Sequence, residues 1–401
     1  MSTTPRGAMA PLLATFTVQT MAATALFGVA VIAPVAAPDI GVDATLIGTF
    51  TAITYAFGMV AGLLTGAFAD RYGAIRVCQT IMILTLVGTA CLTLSTPLAA
   101  AASAAVLGLC YGPVNPVSTH ILARVAPQKS RPLFFSIKQT GMPLGSALAG
   151  ALLPVIVALY DWRIAILATG VMAAVVAVFI QPLRPWLDAV RDRGRSLRGG
   201  DIVEPLKLVW RAPQLRCLAV IGFAYSGTQV AITVFYVVYL TAELAMPLTT
   251  AGLIFTVFQG AAIGGRLFWG AIADRFYPAN PLLAWLGIST GVFTIATGLY
   301  APDWPLWTIV AVAFLFGITC AGWNGVFFSE LVKAAPADRI GEAASGIQFT
   351  IMGGVAMVPP VFGVIVTMGG GYFAAFLALA IGMAAAAIYL KAAFRSPPSA
   401  S

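Results

Sequence analysis

The chain has 401 residues, 60% hydrophobic and 9% charged, with a mean hydropathy of +0.94. Soluble domains carry roughly 25% charged residues, so this composition excludes a soluble enzyme, and its apolar content excludes a disordered chain. The formal net charge of +8 comes from basic residues in short connections beside apolar runs, which marks membrane topology rather than contact with nucleic acid.

The first apolar run, residues 8–37, follows Arg6. It is longer than the roughly 7–15 residues of a signal-peptide core and reads as a retained spanning helix. A helix needs about 20 apolar residues to cross a bilayer, and Pro, Gly and charge punctuation place such helices over 11–36, 44–69, 75–94, 98–123, 133–159 and 162–181. Residues 182–216 then carry eight basic and four acidic side chains, too many charges to enter the hydrocarbon. Six more runs follow, over 215–241, 248–273, 281–300, 306–332, 343–368 and 372–391. Their continuity excludes a membrane β-barrel, whose strands alternate in polarity over about 10 residues. The expected fold is an all-α membrane protein of about twelve transmembrane helices in two pseudo-symmetric halves. The halves cover 1–182 and 214–401, with a cytoplasmic linker over 183–213.

Nineteen of the 22 Lys and Arg fall on the face that holds both termini and the linker, against Arg163 alone on the other. The excess places both termini in the cytoplasm, and a bacterial cytoplasmic (inner) membrane is the expected location. The five cysteines show no CxxC spacing, so free, buried thiols are expected, with no metal site and no cofactor.

The halves repeat each other. Gly108, Asn115, Arg124 and Pro127 correspond to Gly317, Asn324, Lys333 and Pro336 at a spacing of 209, as do Ser136 and Gln139 to Ser345 and Gln348. Gly66, Asp70 and Arg71 correspond to Gly270, Asp274 and Arg275 at a spacing of 204. Parallel repeats of this kind build transporter folds with a substrate site near the midplane.

The end of the second helix reads Gly66-x-x-x-Asp70-Arg71-Tyr72-Gly73-x-x-Arg76, and the eighth ends on Gly270-x-x-x-Asp274-Arg275. This pair resembles the loop signature of the major facilitator superfamily, and the layout of six helices, loop and six helices resembles that family over essentially the whole chain. A glycine at such a place permits close helix packing, and a carboxylate can face the positive N-terminus of a neighbouring helix. The resemblance implies that Asp70 and Asp274 lock a cytoplasmic gate, and the repeat symmetry suggests that, when the site faces outward, Asp70 engages the start of the eleventh helix near Arg339 and Asp274 the start of the fifth near Arg131. It also implies a secondary transporter or facilitator, not an enzyme, that alternates access by rocking its halves, acting as a monomer.

Lys138 and Arg266 are the cations inside predicted spans, where each costs about 2.5–3.5 kcal/mol to insert. Arg266 lies roughly 12 Å inside the end marked by Asp274, and Lys138 roughly 10 Å from Arg131. Neither has a carboxylate nearby on its own helix, so an arriving anion would complete the charge. The segment from Gly265 to Gly270, with Arg266 four residues before the glycine, is similar to the eighth-helix pattern of the oxalate/formate and monocarboxylate porter branches. There that arginine contacts a carboxylate, a role that suits its planar fork. The oxalate porters carry their lysine on the eleventh helix, whereas residue 347 here is isoleucine. Snorkelling of Lys138 toward headgroups is the other reading of that residue.

The expected cargo is a small organic anion, a carboxylate, bound by Arg266 and Lys138. Gln139, Tyr225, Gln229, Gln348, Asn115 and Asn324 are the candidates for shape and hydrogen bonding, with Asn115 and Asn324 also able to bridge helices. His120 reads as a packed or interfacial histidine, and a coupling proton or counter-anion stays open. Two other readings stand beside this one. Export of drugs or neutral solutes is disfavoured by the missing intramembrane acid and by a fifth helix that reads Gly141-Met142-Pro143-Leu144-Gly145 rather than the drug/proton antiporter order. A transporter-like membrane sensor would bind ligand without moving it.

Overall fold

The computed structural model describes residues 5–189, 203–336 and 339–393, and every regular element among them is helical. The first unit holds α1 (Pro5–Ile40), most of α2 (Ile47–Tyr72), α3 (Ala74–Leu92), α4 (Pro97–Val125), α5 (Arg131–Gln139), α6 (Gly141–Leu159), α7 (Trp162–Phe179) and the short α8 (Arg184–Leu187). After α9 (Val203–Arg211) come α10 (Pro213–Ala242), α11 (Leu248–Arg275), α12 (Ala279–Gly298), α13 (Leu306–Cys320), α14 (Trp323–Ala334), α15 (Ile340–Ile365) and α16 (Gly371–Ala393), mostly in the second unit.

Among the described residues the twelve apolar runs become eleven continuous stretches long enough to cross a membrane, because α15 and α16 join through a kinked π turn at Val366–Gly370. Large apolar side chains such as Leu159, Phe179, Trp307 and Ile388 are exposed, while threonine hydroxyls are buried. This inside-out distribution is that of a helical bundle whose solvent is lipid. Thr15, Thr20, Thr24, Thr85 and Thr89 satisfy themselves on carbonyls three or four residues back in their own helices. Four of the five cysteines are buried, and all are free.

Helix starts are set by local chemistry. Thr96 accepts from Ala99 N ahead of Pro97, and Asp161 accepts from Arg163 N, each satisfying an orphan N–H of the first turn. At the other end of the first unit Asp188, following α8, accepts from Ile75 N at 2.9 Å and Arg76 N at 3.3 Å and caps α3. Arg163, the lone cation of its face, donates to Asp39 Oδ2 and Asp161 Oδ2, both at 3.1 Å, and to Ser95 Oγ at 3.0 Å. It also lies over the Trp162 ring.

The repeat seen in the sequence recurs in packing. In the first unit a side chain at Gly108 would collide with the carbonyl oxygen of Thr54, and in the second one at Gly317 would collide with that of Phe258. These pairs are related by the spacings 209 and 204. Gly145 against Thr20 O and Gly354 against Phe223 O form a second such set. Among the spans α1 and α10 are the most enclosed, with 83% of their apolar windows buried against 33–50% elsewhere.

The linker was expected to be a polar connection. It contains α9, whose Val209 is fully buried and whose Pro205 carbonyl lies against Gly346 of α15. Arg191, Arg193, Arg195 and Arg198 lie outside the described residues.

Candidate functional site

The fifth span is two helices. After Gln139 the chain tightens, and Thr140 N and Oγ1 both donate to Ile137 O, at 3.1 and 2.7 Å, before α6 resumes at Gly141. This turn places Lys138 at the end of α5 with only 2% of its surface exposed. Its Nζ donates to Asn115 Oδ1 at 2.5 Å, and no carboxylate pairs with it among the described residues. The side chain runs inward to α4, not outward in the snorkelling direction. Asn115 itself is exposed, between Pro113 and Pro116 of α4, which remove the helical donors for the carbonyls of Leu109 and Gly112. Gln139 is exposed and accepts from Gln19 Nε2 of α1 at 3.4 Å.

In the second unit Arg266 is half-buried on α11, preceded by Gly265, whose missing side chain leaves room for the Ile318 carbonyl. Gln348 and Asn324 are half-buried. Asn324 Nδ2 turns back to Ala321 O at 3.4 Å, at the break between α13 and α14. Gln229 Oε1 accepts from Trp323 Nε1 at 2.9 Å, and the Tyr225 hydroxyl donates to Leu283 O at 2.8 Å. Tyr225 and Trp323 meet edge to face with centroids 5.8 Å apart. The polar atoms of Tyr225 and Gln229 thus join helices inside the unit. Trp323 escaped the sequence reading; a buried glutamine in an apolar helix was the signal that such a donor had to exist.

In the loop signature, Asp70 Oδ1 stands 3.9 Å from His120 Nδ1, and Arg124 lies 3.5 Å from the other ring nitrogen. Arg71 lies over the Tyr72 ring, and Arg76 reaches Gln79 Oε1 at 3.4 Å. Gly73 adopts φ +102°, a left-handed backbone that favours glycine, and a side chain there would strike the Asp188 carboxylate. The close packing expected at Gly66 and Gly270 is found elsewhere, since a Cβ at either would meet nothing within 4 Å among the described residues. Arg275 is exposed, and Arg339 pairs bidentately with Glu342 at 2.6 and 2.7 Å. The side chains of Arg131 and Asp274 lie outside the described residues. Asp188, which fixes this segment, gave no sequence signal beyond being an acid near the start of the linker.

Two repeated helical units, apolar outside and with a cation inside a span of each, are the architecture of a polytopic membrane protein. A sequence model of the Major Facilitator Superfamily matches residues 15–355 and 218–401, and the chain belongs to that superfamily. Among solved structures it is similar to a POT family transporter in complex with 5-aminolevulinic acid (TM-score 0.78, 14% identity, 97% of this chain and 96% of the other). It is likewise similar to the nucleoside transporter NupG (0.77, 15%, 96% and 100%). A third is a bacterial homologue of the lysosomal transporter Spinster, inward-facing and unoccupied (0.73, 16%, 97% and 96%). A stretch of 132 residues is 30% identical to a gallate transporter of Pseudomonas putida, spanning 32% of this chain and 28% of that protein's length. The chain is a multi-pass integral membrane transporter and not an enzyme.

Proposed function

We propose that the chain moves a small organic anion, a carboxylate, across a cytoplasmic membrane by alternating access. Lys138 of the first repeat and Arg266 of the second supply the positive charge. The observation that carries this reading is the burial of Lys138 on an amide oxygen, with no acid beside it among the described residues. A buried ammonium left without a counter-ion costs several kcal/mol, and a substrate that brings negative charge removes part of that cost each time it binds. The gallate transporter, which carries an aromatic carboxylate, supports the same class of cargo through its partial match. Asp70 and Asp274 are assigned to gating.

The test is uptake of radiolabelled gallate and benzoate, and of competing mono- and dicarboxylates, by proteoliposomes of the full chain. Arg266→Lys keeps the charge and loses the planar fork, so affinity should fall by about tenfold or more; Lys138→Ala should fall likewise. Normal affinity in both variants would overturn the reading. Saturable uptake of lipophilic cations or sugars with no carboxylate effect would favour the exporter, and binding without flux would identify a sensor.

A further inference from the structure

Asn115 and Asn324 occupy equivalent positions in the two repeats, 209 residues apart, yet their amides are held by different atoms, Asn115 through its oxygen and Asn324 through its nitrogen. In the second repeat one N–H of Asn324 Nδ2 turns back to the carbonyl of Ala321 on its own helix break, leaving the amide engaged locally rather than by a cation. The residue equivalent to Lys138 there is Ile347, fully buried and unable to donate. In the first repeat Lys138 Nζ takes the Oδ1 of Asn115. An ammonium is a donor only and cannot bond an amide nitrogen, so this contact fixes which way the amide faces: oxygen toward Lys138, nitrogen away from it. Asn115 Nδ2 makes no hydrogen bond among the described residues, and the side chain is exposed.

The exposed surface at Asn115 is polar. At four-residue spacing Tyr111, Asn115 and Thr119 form one stripe of α4, partly or fully exposed along its length. The exposed apolar residues Leu98 and Leu109 lie elsewhere, Leu109 about 120° around the helix. An amide nitrogen whose oxygen is held by a cation is also a stronger donor, because hydrogen bonds in a chain polarise one another.

We infer that Asn115 is the residue of the first repeat that contacts the substrate, donating from Nδ2 to a carboxylate oxygen, and that Lys138 is a positioning residue that holds the amide in this orientation. The inference rests on the carboxylate reading above and changes the role of Lys138 within it: its charge reaches the anion through Asn115 rather than by direct contact.

The decisive variant is Asn115→Asp. It replaces the donor by a carboxylate and hands Lys138 the counter-ion it lacks. Gallate binding to the purified full chain should weaken by at least about tenfold, the factor expected for a lost hydrogen bond to a charged group. The thermal midpoint without ligand should hold or rise, so the loss cannot be ascribed to misfolding. Lys138→Gln, a neutral donor, should recover a large part of the affinity that Lys138→Leu loses, and in transport both lysine variants should raise KM and leave the maximal rate near wild type. Equal losses in Lys138→Gln and Lys138→Leu would overturn the positioning role in favour of direct ionic contact. Carboxylate binding by wild type that Asn115→Asp leaves unchanged would overturn the inference and leave the carboxylate reading standing. A wild-type chain that binds no carboxylate would overturn both.

Discussion

A single acid, Asp188, explains two features of the loop signature that spacing alone leaves unaccounted for. Its buried carboxylate accepts two N–H groups of the first turn of α3 and presses on the backbone at Gly73, which is therefore confined to glycine by space as well as by φ. Caps of this kind contribute about 1–2 kcal/mol, and a buried one leaves two unsatisfied donors when it is lost. Asp188→Ala should therefore lower the thermal midpoint of the purified chain measurably. Gly73→Ala should do so by adding strain and a collision, while Asp303→Ala, on an exposed turn, should leave the midpoint unchanged. An equal midpoint for Asp188→Ala and Asp303→Ala would show that the cap carries no stability.

At the scale of elements, helices are held close by glycines that face carbonyl groups of the neighbouring helix, and the repeat decides where. Gly108 with Thr54 and Gly317 with Phe258 are the same contact made twice. Gly108→Val and Gly317→Val should each destabilise the chain by about 1–3 kcal/mol, the usual cost of overpacking. Gly66→Ala and Gly270→Ala meet open space among the described residues and should stay within about 0.5 kcal/mol of wild type; a denaturation series in detergent distinguishes the two classes. The spans were readable beforehand because lipid demands long apolar runs, and the repeat because equivalent contacts keep equivalent residues. What could not be read were properties that depend on a partner distant in sequence. The break after Gln139 has a local cause, since Pro143 removes the helical donor for the Gln139 carbonyl, yet it leaves the apolar run of the fifth span uninterrupted. The inward course of Lys138 depends on Asn115, 23 residues away, and the burial of Val209 in the linker depends on α15. Tyr225 and Gln229 illustrate the same limit from the other side: spacing put them on one helix face, and only their partners Leu283 and Trp323 reveal that their polar atoms join helices.

For the whole molecule, the charge distribution makes a claim about orientation, and Arg163 is the single basic residue that stands apart from it. Nineteen basic residues lie on one set of connections and Arg163 alone on the other. Arg163 is held between Asp39 and Asp161, with Ser95 on its third side. The rule that sets topology counts Lys and Arg rather than net charge, so these acids leave the count of nineteen against one unchanged and give Arg163 a packing role instead. Both termini are then expected in the cytoplasm. Green fluorescent protein fused after residue 401 should fluoresce. Alkaline phosphatase should be active when fused after Asp303, between α12 and α13, and inactive after Tyr277, between α11 and α12. Arg163→Ala should preserve this pattern, because it removes charge from the side already poor in it, yet lower stability by opening the network that joins α1 to the turns before α4 and α7. A reversed reporter pattern in the wild-type chain would refute the orientation, whereas a correct pattern with undiminished stability in Arg163→Ala would restrict the network to a surface ion pair of little consequence.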